Sequence, residues 1–140
     1  MCAALEINDT RLRPGQPVAL WTPRGPQRLI WAGFARRESL GWWQQQGAEL
    51  VDIPAHRFAE RSDRDRQLRW DRLPPGHVIR GLLDPHAGHP LLKVVTRAST
   101  PVEQARYEHD RMPFLELPLY CAEIIPLPDP EPPAQAELFG

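Results

Sequence analysis

The segment Pro126-Leu-Pro-Asp-Pro-Glu-Pro-Pro133 limits the possible folds more than any other feature of this chain, because five of its eight residues are proline. Proline has no backbone N–H and a fixed φ, so such a run fits neither a helix interior nor a sheet and forms an extended, solvated spacer. We therefore place the end of the folded part near Ile125. The sequence predicts one globular domain over residues 1–125 and a proline-rich tail over residues 126–140.

The composition of the 140-residue chain, with 41% apolar and 25% charged residues, is typical of one globular domain. The chain has no run of 18 apolar residues, and its first twenty residues lack a basic flank followed by an apolar stretch. We therefore expect no membrane span, no secretory signal and a cytoplasmic location. Cys2 and Cys121 lie near opposite ends and match no metal or redox spacing, so we expect no disulfide framework.

The charge is distributed unevenly along the chain. Residues 1–111 contain all 17 basic side chains and 13 of the 18 acidic ones, a net charge of +4, while residues 112–140 contain five acids and no base. A mildly basic body with an acidic end is compatible with contact between the body and a nucleic acid.

Several short segments rich in β-forming residues predict a small β fold. Residues 17–22 and 28–34 flank a Pro-Arg-Gly-Pro turn and predict a hairpin, with Val18 and Leu20 on one face. Further strands are predicted at residues 49–53, 77–83, 91–96 and 114–120, and residues 122–125 are a candidate continuation of the last one. About six strands in a chain this short favour an α+β fold built on a small mixed or antiparallel β-barrel.

We expect one to three short helices beside these strands. Thr100-Pro-Val-Glu103 has a capping hydroxyl, proline at the first helical position and glutamate at the third, which predicts a helix over residues 101–111. Residues 36–46 are a second candidate, ending at Gly47. The apolar residues of segment 56–70 follow neither the periodicity of a helix nor that of a strand, and the many charges there favour a solvated helix or a flexible arm.

The segment Pro14-Gly-Gln-Pro-Val-Ala-Leu-Trp21, a turn, and then Arg28-Leu-Ile-Trp-Ala-Gly-Phe34 resembles the paired strands of PUA-like barrels, including the ASCH and EVE groups. The resemblance covers residues 14–35, and Trp31-Ala-Gly33 stands where two glycines are usual. It implies a barrel fold and a protein that binds RNA or modified bases in DNA.

The last residues carry the sharpest motif. Gln135-Ala-Glu-Leu-Phe139 resembles the peptide through which bacterial replication and repair proteins dock on the β sliding clamp, written loosely as Gln-x-(Ser/Asp)-Leu-Phe. The resemblance implies that Gln135 fixes the register, that Leu138 and Phe139 are the anchors, and that Glu137 takes the place of a small or acidic residue. Ala136 departs from the common leucine, and the match spans five residues.

The physical character of the tail agrees with this resemblance. A peptide that enters a preformed apolar groove needs large apolar anchors, a polar residue that sets the register and freedom from its own domain. Leu138 and Phe139 are the only large apolar residues after Leu127 and follow the proline spacer. The alternative is that this terminal pair folds back onto a groove of the body.

Tryptophans interleaved with arginines predict a surface for nucleic acid on the body. Single-stranded nucleic acid favours such a mixture, because bases stack on aromatic rings and phosphates contact the arginines. Tryptophan in so small a chain is also common in the core. The candidate residues are Arg36, Arg37, Trp42, Trp43, Arg69, Trp70 and Arg72.

Catalytic motifs are weak in this sequence. Asp84, His86 and His89 are close enough for a zinc or acid–base site, but the prolines and glycine around them predict a turn between two strands. Acidic pairs such as Asp63/Asp65 alternate with arginine, which favours surface ion pairs. We therefore predict no catalytic residue, no metal site, no cofactor and no enzyme.

Two functions follow from these patterns. The first is a non-enzymatic accessory factor of bacterial DNA replication or repair, which docks on the β sliding clamp through its tail while its body contacts DNA or a partner protein. The alternative is a PUA-like reader of RNA or modified DNA bases that acts through the body alone.

Overall fold

The structure, a computed structural model, describes residues 2–86 and 88–120 of the chain. Strands dominate these residues and two short helices accompany them, so the fold class is α+β and β-rich. The strands are β1 Cys2–Ile7, β2 Thr10–Leu12, β3 Pro17–Thr22, β4 Gly25–Arg36, β5 Glu49–Ile53, β6 Arg57–Arg61, β7 Leu68–Arg72, β8 Val78–Asp84, β9 Leu91–Ala98, β10 Arg111–Pro113 and β11 Leu115–Glu116. The helices are α1 Leu40–Gln45 and α2 Pro101–Tyr107, and a 3₁₀ turn, Arg37–Ser39, precedes α1.

Seven strands form the larger sheet, in the order β10-β9-β4-β3-β5-β8-β11. Because β8 also pairs with β9, the strands β9, β4, β3, β5 and β8 form a ring of hydrogen-bonded neighbours. The pair β4–β9 is parallel and the others in the ring are antiparallel. The expected small β-rich α+β fold is confirmed at this level.

The predicted hairpin of β3 and β4 is confirmed. Val18 pairs with Leu29 and Thr22 with Gly25, so the turn consists of Pro23 and Arg24. Gly25 has φ +101, a value that glycine adopts without strain. Val18 and Leu20 are fully buried, as the alternation of the strand predicts.

The smaller sheet has four strands in the order β2-β1-β6-β7, and none of these strands was predicted. The prediction of a solvated helix or flexible arm at residues 56–70 is wrong, because β6 and β7 form an antiparallel hairpin there. Ala59 and the buried Glu60 interrupt the apolar alternation that would have indicated a strand. Strand pairing with β1, at the other end of the chain, overrides the weak local pattern.

The main core lies between the two sheets. The smaller sheet contributes side chains such as Leu5 and Phe58, and the ring contributes others such as Trp31, Ile53 and Leu92, all buried. A second, smaller cluster of Ala48, Leu82 and Val95 lies under α1, Trp43 and Phe114. Strand β8 is buried on both faces because it separates these two clusters.

Both predicted helices are present, and each is shorter than expected. Helix α2 has the predicted capping box between Thr100 and Glu103, and it ends at Tyr107 because Glu108 adopts a left-handed conformation. Of the candidate helix at 36–46, Arg36 still belongs to β4, and α1 follows the 3₁₀ turn. Gly47, with φ +91, follows the end of α1 as predicted.

The predicted strand at 114–120 is reduced to the two residues of β11. Beyond Glu116 the chain is held by the ring, because Asp52 on β5 accepts hydrogen bonds from the backbone N–H groups of Leu119 and Tyr120. The predicted boundary near residue 125, the tail and the clamp-binding residues lie outside the described residues. Within the part of the chain that the structure describes, no helix is long and apolar enough to span a membrane.

Candidate nucleic-acid interface

The outer face of the smaller sheet carries a row of charged side chains that crosses all four strands. Glu6 on β1 lies opposite Arg11 on β2 and Arg57 on β6, and Arg57 lies opposite Arg72 on β7. The neighbouring residues Leu5 and Phe58 point to the opposite face, into the core. We call Arg11, Glu6, Arg57 and Arg72 the arginine row.

The arginine row has three positive charges and one negative charge. Glu6 is shared, since its carboxylate lies 3.4 Å from Nε of Arg11 and 3.7 Å from Nε of Arg57. Arg72 is exposed, and its guanidinium has no ionic or hydrogen-bonding partner among residues 2–86 and 88–120. Like charges directly opposite each other in a sheet repel. The pair Arg57 and Arg72 therefore favours an anion from outside the protein.

An aromatic side chain lies beside this row on the same face. Trp70 precedes Arg72 by two residues and is opposite Ala59, which is in turn opposite Ala4. Both alanines are buried although they belong to the outer face. The guanidinium of Arg11 lies 4.5 Å from the centre of the Trp70 ring, which is the distance of a cation–π contact. Trp70 and Arg11 thus meet above the two small side chains.

Two cavities border the arginine row. The larger, of about 320 Å³, is lined by Glu6, Asp9, His56, Arg57 and Arg72. The smaller, of about 170 Å³, is lined by Ala55, His56, Arg72, Leu73, Pro74, Pro75, Gly76 and His77. His56 and Arg72 belong to both linings, so these two basic side chains form the boundary between the cavities.

The backbone on both sides of His56 is firmly held. Its N–H donates a hydrogen bond of 2.9 Å to the carbonyl of Glu6, and its carbonyl accepts one of 3.0 Å from the N–H of Leu73. These bonds continue the pairing of β1, β6 and β7 beyond the formal end of the strands. The cavity boundary is therefore part of the sheet and not of a loose loop.

The structure divides the seven predicted nucleic-acid residues among three places. Trp70 and Arg72 lie together on the outer face. Arg69 lies between them in sequence and therefore points to the inner face, where its Nη2 is 3.2 Å from Asp65. The remaining four, Arg36, Arg37, Trp42 and Trp43, lie on the larger sheet and around α1.

These four form a second, separate aromatic and basic cluster, which we call the α1 cluster. Trp42 is 56% exposed and meets the half-buried Trp43 edge to face, with ring centres 5.0 Å apart. Arg37 stacks on the ring of Phe114 at 4.5 Å, and Arg36 is paired with Glu38 at 3.3 Å. The arginines of this cluster already have partners, whereas Arg72 has none within the described ranges.

Sequence reasoning missed Arg11, His56 and Arg57, which complete the outer face. Nothing in the local sequence marks them, because they join Trp70 and Arg72 through pairing of β2, β1 and β6. The opposition of Arg57 and Arg72 is visible only once the register of the β6–β7 hairpin is known.

The histidine turn considered as a catalytic site connects β8 and β9, as predicted. His86 and Asp84 are in contact, with Nδ1 2.9 Å from Oδ1. Burial by itself favours a higher pKa for Asp84, but the hydrogen bonds from His86 together with the nearby Lys93 outweigh it, so the pKa of Asp84 is lowered. No cluster of three or more His, Cys, Asp or Glu side chains suited to a metal is found in the described portion of the chain.

The fold and the outer face define a small β-rich α+β protein with a basic, aromatic sheet surface. Comparison of the chain with protein-family models, with curated proteins and with solved structures finds no match.

Proposed function

We propose that this protein is a non-enzymatic accessory factor of DNA replication or repair in the bacterial cytoplasm. It docks on the β sliding clamp through Gln135, Glu137, Leu138 and Phe139, while the outer face of the smaller sheet contacts DNA. The observation that carries the proposal for the body is Arg72, whose guanidinium has no partner in the part of the chain that the structure describes, beside Trp70 and the arginine row. The sequence motif behind the proline spacer carries it for the tail.

The outer face combines the two kinds of group that nucleic acids require. Phosphates bind arginine through charge-assisted and often bidentate hydrogen bonds. Bases interact with aromatic rings and with guanidinium planes, and the half-buried Trp70 and Arg11 supply one of each. Both kinds lie on a sheet whose position is set by backbone pairing, so little ordering is needed on binding.

The body also holds the last described residues before the tail. Asp52 accepts hydrogen bonds from the backbone N–H groups of Leu119 and Tyr120, so the chain is held to the ring up to this point. Burial of Leu138 and Phe139 in a groove would contribute roughly 3–6 kcal/mol before ordering costs, which corresponds to micromolar docking. A clamp that encircles DNA would then raise the local concentration of the attached body.

The docking is tested by co-elution of the full-length protein with purified β sliding clamp. We expect the wild type to co-elute and the Leu138→Ala, Phe139→Ala double variant to lose co-elution. The matched control is Leu127→Ala, which removes a leucine from the tail outside the motif and should co-elute like the wild type. Undiminished co-elution of the double variant would refute clamp docking through these residues.

The second candidate is a PUA-like reader of RNA or modified DNA bases that acts through the body alone. The ring of five strands with one parallel pair favours it, because such a ring is the element from which a small mixed barrel is built. This function predicts tighter binding to RNA or to modified DNA than to unmodified DNA. It also predicts that removal of residues 134–140 changes neither binding nor activity in cells.

A further inference from the structure

The two cavities on the outer face share a basic boundary formed by His56 and Arg72. We propose that they bind one dinucleotide step of single-stranded DNA, with the linking phosphate on Arg72 and His56 and one nucleoside unit in each cavity. This inference rests on the proposed DNA contact of the body and names the form of DNA that the face recognises.

The charge distribution selects an anion at the boundary. Arg57 and Arg72 oppose each other across the β6–β7 hairpin, and Glu6 lies 3.7 Å from Arg57 and already pairs with Arg11. A phosphodiester placed between Arg72 and His56 relieves this repulsion and accepts hydrogen bonds from both side chains.

The sizes of the cavities suit a short stretch of an unpaired strand. Pockets for small ligands have volumes of about 300–1,000 Å³, and the larger cavity, at about 320 Å³, lies at the lower end of that range. The smaller cavity, at about 170 Å³, holds only part of a nucleoside and leaves the rest in solvent. Entry of a base requires that it be unpaired, which excludes the interior of a duplex.

The carboxylates of the larger cavity orient the strand and discriminate between bases. Asp9 lies in the β1–β2 turn, and its side chain has no partner in the described part of the chain. A carboxylate repels phosphate and accepts hydrogen bonds from exocyclic amino groups such as N4 of cytosine. The larger cavity should therefore prefer a base that carries an amino group over thymine.

Trp70 extends the site along β7. It lies two residues before Arg72 on the same face, which places the two Cα atoms about 7 Å apart. The next base along the strand, beyond the two in the cavities, can therefore reach the half-buried indole and the guanidinium of Arg11.

The test is fluorescence anisotropy of the full-length protein with labelled 12-nucleotide strands. We expect tighter binding to a single strand than to a duplex of the same length, and to oligo(dC) than to oligo(dT). Arg72→Gln should weaken single-strand binding about tenfold and reduce the slope of log affinity against log salt by about 0.7. Asp9→Asn should reduce the preference for dC over dT.

Arg66→Gln is the matched control. Arg66 is exposed, lies in the turn at the opposite end of the same hairpin, and loses the same charge when substituted. Its effect on affinity should be less than about twofold, and circular dichroism should show both variants folded as the wild type.

Each contrary result has a distinct meaning. Equal losses of affinity in Arg72→Gln and Arg66→Gln would overturn the single-strand site, and so would binding to duplex that is as tight as or tighter than binding to the single strand. Neither result would contradict the proposed contact between the body and DNA. Absence of any DNA binding by the wild type would overturn both. The clamp co-elution is independent of all these outcomes.

Discussion

Arg80 donates a hydrogen bond of 2.6 Å from Nη1 to Oδ1 of Asp52, and both side chains are buried. The two residues lie opposite each other on β8 and β5. Arg80 also donates to Glu116 at 2.6 Å and to the carbonyl of Leu117 at 3.0 Å. Since Asp52 in turn accepts from the backbone N–H of Tyr120, this pair fastens the last described residues to the ring.

Substitution of Arg80 by methionine should lower the free energy of unfolding by about 3–5 kcal/mol, because Asp52 then remains buried without its cation. Urea denaturation at neutral pH measures the loss. The control is Arg24→Gln, which breaks the exposed pair with Glu49 and should cost less than about 1 kcal/mol. Equal losses for the two variants would show that the buried pair does not hold the segment.

Glu103 should support stability only above acidic pH. Its carboxylate accepts two hydrogen bonds of 2.7 Å from Arg97, which lower the pKa of Glu103 to about 2. A carboxyl whose pKa is lower in the folded state stabilises the fold above its ordinary pKa of 4.5, and this contribution disappears as the pH falls towards 2.

Glu103→Gln should therefore cost about 1–2 kcal/mol at neutral pH, a value reduced by partial exposure of the pair. Urea midpoints at several pH values test this. The wild type and the variant should converge between pH 4.5 and about 2. A difference that stays constant over this interval would contradict the assigned role of the carboxylate.

The contribution of Glu60 to stability should change with pH in the opposite direction to that of Glu103. Burial raises the pKa of Glu60 to about 7, and its neighbours include His109, whose Nε2 is 3.8 Å from the carboxylate. The folded protein thus retains a proton that the unfolded chain has lost, so stability falls as the pH rises from 4.5 to 7.

The Glu60→Gln variant removes this titration. The free energy of unfolding of the variant minus that of the wild type should rise by up to about 3 kcal/mol as the pH increases from 4.5 to 7. Urea denaturation of both proteins across this pH range gives the difference in unfolding free energy. The contributions of other titrating groups are the same in both proteins and cancel in this difference. A pH-independent difference would mean that folding does not shift the pKa of Glu60.

Cys2 should be unreactive in the native protein. Its side chain is 1% exposed, and burial raises the pKa of the thiol, so little of the nucleophilic thiolate forms. In a Cys121→Ser background, iodoacetamide at pH 8 should modify Cys2 only when urea is added, as measured by mass spectrometry. Stoichiometric labelling without denaturant would show that the end of β1 opens readily.

The two aromatic clusters should contribute differently to DNA binding. Trp70→Ala should weaken single-strand affinity by about 1–3 kcal/mol, the value of one base–aromatic contact. Trp42→Ala, which removes the exposed ring of the α1 cluster, should change it little. Anisotropy with the same 12-nucleotide strand makes the comparison. A larger loss for Trp42→Ala would place the interface at α1.

Elements built from neighbouring residues could be predicted from the sequence. The β3–β4 hairpin follows from two apolar segments around a proline-glycine turn, and α2 follows from Thr100, Pro101 and Glu103. In both cases the interactions that form the element lie within a few residues, so their chemistry is visible in order along the chain. The clamp-binding peptide is likewise local and stays a prediction.

The candidate site was decided by the tertiary structure. Arg11, Arg57 and Arg72 meet because β1 pairs with both β2 and β6, and β6 pairs with β7. A shift of one residue in any of these registers would turn a side chain to the opposite face. The sequence by itself determined which segments carry apolar, charged and turn-forming residues, but the register that brings distant charges together depends on packing of the whole core.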